Sequence, residues 1–155
     1  KFKQMFGVIP THLDSHYNTY AVENVFKALV NVAKKYGIPI RRPVVYIKDD
    51  HELTANELED AKENAKFATE NKILMTDVLY LDYLNLKDDY IGEILKATEK
   101  LKENQVIEIP LHPGFKEDWR AKYVEILKNE QLATDLNRAS IKVISYAELS
   151  KIRNI

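Results

Sequence analysis

The amino-acid sequence predicts a mixed α/β domain in which parallel strands carry helices on their outer side, as an open sheet or closed into a barrel. Two observations carry this reading. Segments with helical spacing of apolar residues alternate with short β-branched runs in the order β-α-β-α-β-α-β-α-β-α, give or take one strand. No repeat, low-complexity tract or flexible linker interrupts them, so residues 1–155 read as a single domain.

The first seven residues, KFKQMFG, read as the last turns of a helix closed by Gly7. A helix needs its first turns and its cap, so a chain that opens at Lys1 is expected to be the C-terminal part of something longer. VIPTHLDS follows as a buried strand, with Pro10 tolerated near its start. Val22, Val25, Phe26, Leu29, Val30, Val32 and Ala33 then recur at helical spacing, and Gly37 is placed to end that helix. IPIRRPVVYI is strand material broken by Pro43, and Thr54 with Glu57 has capping-box spacing for a helix running to about Phe67. KILMTDVLYLDYL predicts a strand followed by a turn. Ile91, Ile94, Leu95, Thr98 and Leu101 share one face of an amphipathic helix. QVIEIPLHPGF is a strand ending in a His-Pro-Gly turn, EDWRAKYVEILKNEQLATDL is helical, and SIKVISY reads as a strand. Ser145 with Glu148 caps a last short helix.

Composition narrows the function classes. With 45% hydrophobic and 30% charged residues the chain has the make-up of an ordinary globular protein. Its net charge of -1, from 23 basic and 24 acidic residues well mixed along the chain, gives no reason to expect nucleic acid or an anionic membrane as partner. The sequence has no cysteine, which removes disulfides, thiolate metal sites and cysteine nucleophiles. No apolar run approaches the ~20 residues of a membrane span, and the start lacks a signal-peptide core. A cytoplasmic enzyme or binding protein is the expectation. Only four glycines are present and none form a phosphate loop, while a G-x-S-x-G elbow is also missing. Trp119 and the nine tyrosines are scattered, which makes no base-stacking platform.

The stretch IPTHLDSHYNTY concentrates chemistry. On a strand, His12, Asp14 and His16 share one face while Leu13 and Ser15 take the other. At roughly 3.3 Å per residue the Cα atoms of His12 and His16 are ~13 Å apart, too far for both rings to bind one metal ion. One histidine therefore binds any metal, with other ligands from elsewhere in the chain. His16 is the candidate because it lies nearer the C-terminal end of the strand, where a barrel's site opens. A strand histidine read alone is more often a hydrogen-bonded structural residue. Two histidines and an aspartate on one face need partners or a purpose.

His112, in PLHPGF, is the second candidate, either a turn residue or a general acid or base titrating near neutral pH. Arg41 and Arg42 end another strand and suit a hydroxyl-rich or anionic substrate, or simply solvent. His51 follows KDD before a helix and reads as a surface residue.

Taken in order, MFGVIPTHLDSH, YGIPIRRP, LHPGF and VISYAEL resemble the YdjC-like family of carbohydrate deacetylases, which contains chitooligosaccharide deacetylase. The matches run from about Phe6 to Leu149. The resemblance implies a deformed (β/α) barrel of the NodB/YdjC-like type that removes N-acetyl groups from small oligosaccharides with a divalent metal, Mg, Mn or Zn. It implies His16 as metal ligand, His12 and Asp14 as supporting residues of the catalytic motif, and His112 as an acid/base or substrate-binding group. Arg41 would contact the sugar. In such chemistry a metal polarises the amide carbonyl and activates water while a histidine protonates the departing amine.

The family's N-terminal Asp-Asp-Phe-Gly and Gly-x-His motifs are absent from this sequence. Its further histidines are replaced by Tyr17-Asn18-Thr19-Tyr20. The first strands of the barrel are thus expected to be missing from this chain, leaving a sheet edge that favours a homodimer. A second function class is a non-catalytic sugar-binding or regulatory barrel that has lost the metal site. A third is a barrel hydrolase acting on a different amide or ester.

Overall fold

The computed structural model describes residues 1–15, 22–43, 55–80, 90–99 and 101–153. Among them the chain forms α1 (Phe2–Phe6), α2 (Glu23–Tyr36), α3 (Ala55–Glu70), β1 (Val78–Leu79), α4 (Tyr90–Thr98), β2 (Ile107–Glu108), α5 (Asp118–Lys128), α6 (Glu130–Arg138) and α7 (Tyr146–Ile152).

The strands β1 and β2 pair in parallel, with Val78 opposite Ile107 and Leu79 opposite Glu108. Two further extended segments lie alongside. Leu13 pairs in parallel with Ile40, its N–H donating to Pro39 O at 2.9 Å and its carbonyl accepting from Arg41 N at 2.9 Å. The Ile40 N–H donates to Leu74 O at 3.0 Å, which joins this pair to the segment leading into β1. Extended segments around residues 13, 40, 74–79 and 107 therefore follow one another in space as they do in the chain. A helix stands in each interval: α2, α3 and α4. This is the expected β-α alternation, since parallel neighbours require a long crossover and a helix supplies it. The described residues show a mainly helical α/β fold with a small parallel sheet; they do not establish closure into a barrel.

One core lies between this sheet and the first two long helices. Phe26, Val30 and Ala33 of α2, spaced three and four residues apart, meet Ala65 and Ala68 of α3. Ile40, Ile73 and Met75 come from the sheet side, and Leu13 packs against the same cluster. Each large apolar side chain taken out of water there contributes about 1.5–3 kcal/mol before entropy is counted. Because Leu13 and Ile40 face the helices, alternation sends His12, Asp14 and Arg41 to the opposite face. That division of faces positions the site.

Helix ends follow the sequence signals. Gly7 and Gly37 close α1 and α2 in the left-handed conformation, at φ 72° and 62°, each donating its N–H back to the preceding turn. Ser145 and Glu148 form the expected capping box at the start of α7. The predicted helix through EDWRAKYVEILKNEQLATDL is two helices. Asn129 is extended, at φ -79° and ψ 107°, and its side chain accepts from Gln131 N to start α6 afresh. The predicted strand SIKVISY is not formed, and Val143 is 76% exposed there. β-branched residues alone do not make a strand without a neighbour to pair with.

Candidate functional site

The face of the sheet opposite α2 and α3 carries a connected group of polar side chains. Asp14 and Arg41 come from neighbouring parallel segments, and Arg41 Nη1 lies 2.8 Å from Asp14 Oδ2. Arg41 Nε donates to Glu108 Oε1 at 2.7 Å, reaching across to β2. The other Glu108 oxygen, Oε2, accepts the phenolic hydrogen of Tyr146 at 2.5 Å. Asp14 Oδ1 accepts the Ser15 backbone N–H at 2.7 Å. One guanidinium thus holds two carboxylates that would otherwise repel, a use for which its planar fork is better shaped than an ammonium.

His12 joins the group through Tyr146. The two rings lie parallel within 8°, with centroids 4.1 Å apart. His12 Nδ1 is 3.1 Å from Thr11 Oγ1. Burial lowers the pKa of the imidazole below its ordinary value, with Arg41 adding to that effect; Glu108 and Asp14 oppose it without reversing it. The fold thus favours the neutral form of the His12 ring. Tyr146 is shifted the other way: burial first, then the Glu108 carboxylate, raises its phenol so that it remains a donor.

His112 belongs to a different neighbourhood. It follows Glu108 by four residues, a reach of at most about 14 Å, and its ring centroid is 6.3 Å from that of Trp119 on α5. The Arg120 guanidinium lies over Trp119 at 4.4 Å, and Gly114 N donates to Arg120 O at 3.3 Å, folding the His-Pro-Gly turn onto the start of α5. Phe115, next in the turn, is exposed.

Of the residues singled out by sequence, the structure brings Asp14, Arg41 and His12 together and places His112 beside Trp119. His16 and His51 lie outside the described residues, as does Thr54. Among the described residues no group of three His, Cys, Asp or Glu side chains is placed to hold a metal ion, so they do not by themselves form the expected metal site. Arg42 takes the opposite course to Arg41. Its Nη1 donates to Thr76 O at 3.3 Å while its Nε and the Thr76 hydroxyl are buried with no hydrogen-bond partner among the described residues, and burial lowers its pKa.

Sequence reasoning did not single out Glu108 or Tyr146. Glu108 had one visible signal, a charge inside the apolar run VIEIP. Tyr146 had one as well, its place directly after the Ser145 cap, where a short helix fixes its direction.

Comparison with known proteins agrees with the resemblance. The family described as "YdjC-like protein" matches residues 1–139. A carbohydrate deacetylase of Clostridium beijerinckii is 24% identical over 156 residues, covering 93% of this chain and 55% of that protein. A carbohydrate deacetylase of Geobacillus stearothermophilus is 23% identical over 160 residues, covering 95% of this chain and 55% of that protein. The chain thus spans about half the length of these curated relatives. No solved structure matches it. With the match extending over most of its length, the chain belongs to the YdjC-like protein family.

Proposed function

We propose that this chain is part of a metal-dependent carbohydrate deacetylase that hydrolyses the N-acetyl amide of small oligosaccharides such as chitooligosaccharides. The observation that carries the reading is the convergence of His12, Asp14, Arg41 and Glu108 on one sheet face, in a chain whose curated relatives are named carbohydrate deacetylases. Amide hydrolysis needs a base to take a proton from water and an acid to give one to the departing amine. His12, half-buried in surroundings that favour its neutral form, suits proton acceptance, and Asp14 with Arg41 fixes the charge around it. His112, at the end of the adjacent segment, is the proposed acid, and the Arg41 guanidinium the proposed contact to sugar hydroxyls. His16, which lies outside the described residues, is the proposed ligand for Mg, Mn or Zn.

The test is acetate release from an N-acetylated chitooligosaccharide, with and without EDTA. Release that EDTA abolishes and added metal restores supports the reading. Absence of release across Mg, Mn and Zn, from a folded protein, overturns it. A second reading, a non-catalytic sugar-binding protein, draws on Tyr17-Asn18-Thr19-Tyr20 standing where the family's further histidines are expected. It expects oligosaccharide binding that EDTA leaves unchanged, without acetate.

A further inference from the structure

Tyr146 stands at the junction of the ring stack and the ion-pair network. Its ring covers the His12 imidazole at 4.1 Å, and its hydroxyl donates to the carboxylate that in turn holds Arg41. It is the first residue of α7, directly after the Ser145 cap, so its Cα–Cβ direction is set by a helix end that is itself tied by two reciprocal hydrogen bonds. At the other end of α7, Arg153 Nη2 lies 2.7 Å from Asp77 Oδ2 and donates to Asn104 O at 3.1 Å, which anchors the helix against the segments before β1 and β2. A tyrosine held this firmly restrains what it touches.

We propose that Tyr146 is a positioning residue of the candidate site, fixing the plane of His12 with its ring and, through Glu108 and Arg41, the carboxylate of Asp14 with its hydroxyl. The proposal deepens the deacetylase reading and rests on it for its kinetic arm alone. The restraint works in two separable ways. The ring limits His12 to rotations that keep the stack, which leaves its edge directed along one line. The hydroxyl occupies Glu108 Oε2, so that Oε1 remains for Arg41 and the guanidinium keeps its Nη1 on Asp14. Without that hydroxyl Glu108 would turn, and Arg41 would follow one carboxylate or the other. The groups facing His12 are Asp14 from its own segment, Arg41 from the neighbouring one, Glu108 from β2 and Tyr146 from α7.

Two substitutions separate the two roles. Tyr146→Phe keeps the ring and removes the hydroxyl; Tyr146→Leu removes both. Side-chain NMR of His12 and Arg41 gives a readout that needs no substrate. In Tyr146→Phe the His12 ring protons keep their shielded positions while the Arg41 Nε–H signal moves. In Tyr146→Leu the His12 protons also move, downfield, because no aromatic ring remains to shield them. In the deacetylase assay Tyr146→Phe, which displaces the sugar contact Arg41 and keeps the His12 stack, raises KM about tenfold with kcat within about twofold, whereas Tyr146→Leu, which also frees the His12 ring, lowers kcat as well. An Arg41 signal unmoved in Tyr146→Phe, or His12 protons unmoved in a folded Tyr146→Leu, overturns the proposal. If Tyr146→Leu does not fold, the Arg41 signal in Tyr146→Phe decides. Shifted signals in a protein that releases no acetate leave Tyr146 as a positioning residue and overturn the deacetylase reading instead.

Discussion

Arg41 and Glu108 are 67 residues apart in the chain, and their side chains meet at 2.7 Å. The same guanidinium also reaches Asp14, so a single cation joins three segments of the parallel sheet. Replacing it with methionine leaves two partly buried carboxylates facing each other. Such a pair lies between exposed ion pairs, worth under about 1 kcal/mol, and buried ones, whose breakage costs about 3–5 kcal/mol. Arg41→Met is therefore expected to lower stability by about 2 kcal/mol, read as a fall in the urea midpoint. Arg41→Lys should recover only part of it, because a point charge cannot serve both carboxylates with a fork. An unchanged midpoint in Arg41→Met would show that the junction contributes nothing to stability.

The depressed pKa of His12 sets a direction for acid sensitivity. Burial makes the folded state favour the neutral ring, whereas the unfolded chain takes up a proton near the ordinary value of about 6.5. Between the folded and unfolded values the unfolded state binds more protons, so stability rises with pH there. The His12 contribution is fully present above about pH 6.5 and is lost as pH falls through the lower, folded value. Melting temperature should thus drop on acidification below about pH 6.5, and His12→Gln should flatten that part of the profile. A profile identical in wild type and variant would remove His12 as its source.

The core prediction is independent of chemistry. Phe26 is fully buried between α2, α3 and the sheet. Phe26→Ala removes a ring that its neighbours cannot replace, at a cost of about 3–5 kcal/mol. Denaturant unfolding should show a large drop in midpoint with little change in slope. A destabilisation below about 1 kcal/mol would mean that the helices close over the gap.

His16→Ala tests the metal assignment directly. The expected outcome is loss of EDTA-sensitive acetate release with the urea midpoint preserved. Full activity in that variant would withdraw His16 from the site.

Much of this organisation was legible along the chain, because it depends on local rules. Period-two alternation placed Leu13 against Asp14 on opposite faces, and helical spacing found Phe26, Val30 and Ala33. The left-handed Gly7 and Gly37 and the Ser145–Glu148 box marked helix ends at the right residues. What sequence could not show is which segments become neighbours. Glu108 acquires its meaning only when β2 is laid near the Ile40 segment, and Tyr146 only when α7 is folded over both. The strand expected at SIKVISY failed for the same reason: Ile141 and Val143 carry strand propensity, but pairing is supplied by the rest of the fold. Asn129 divides one apparent helix into two by capping the second with its own side chain, a choice that apolar spacing does not register.

The helix α7 touches the sheet at both of its ends, with Tyr146 on Glu108 and Arg153 on Asp77. Its amides and the polar network should consequently open as one cooperative unit in hydrogen exchange. Release of α7 at Arg153 would then reach the His12 ring, so Arg153→Ala would loosen the candidate site without touching any residue proposed to act on substrate. The family match ends at residue 139. A domain boundary drawn there would cut away the tyrosine that orients the site.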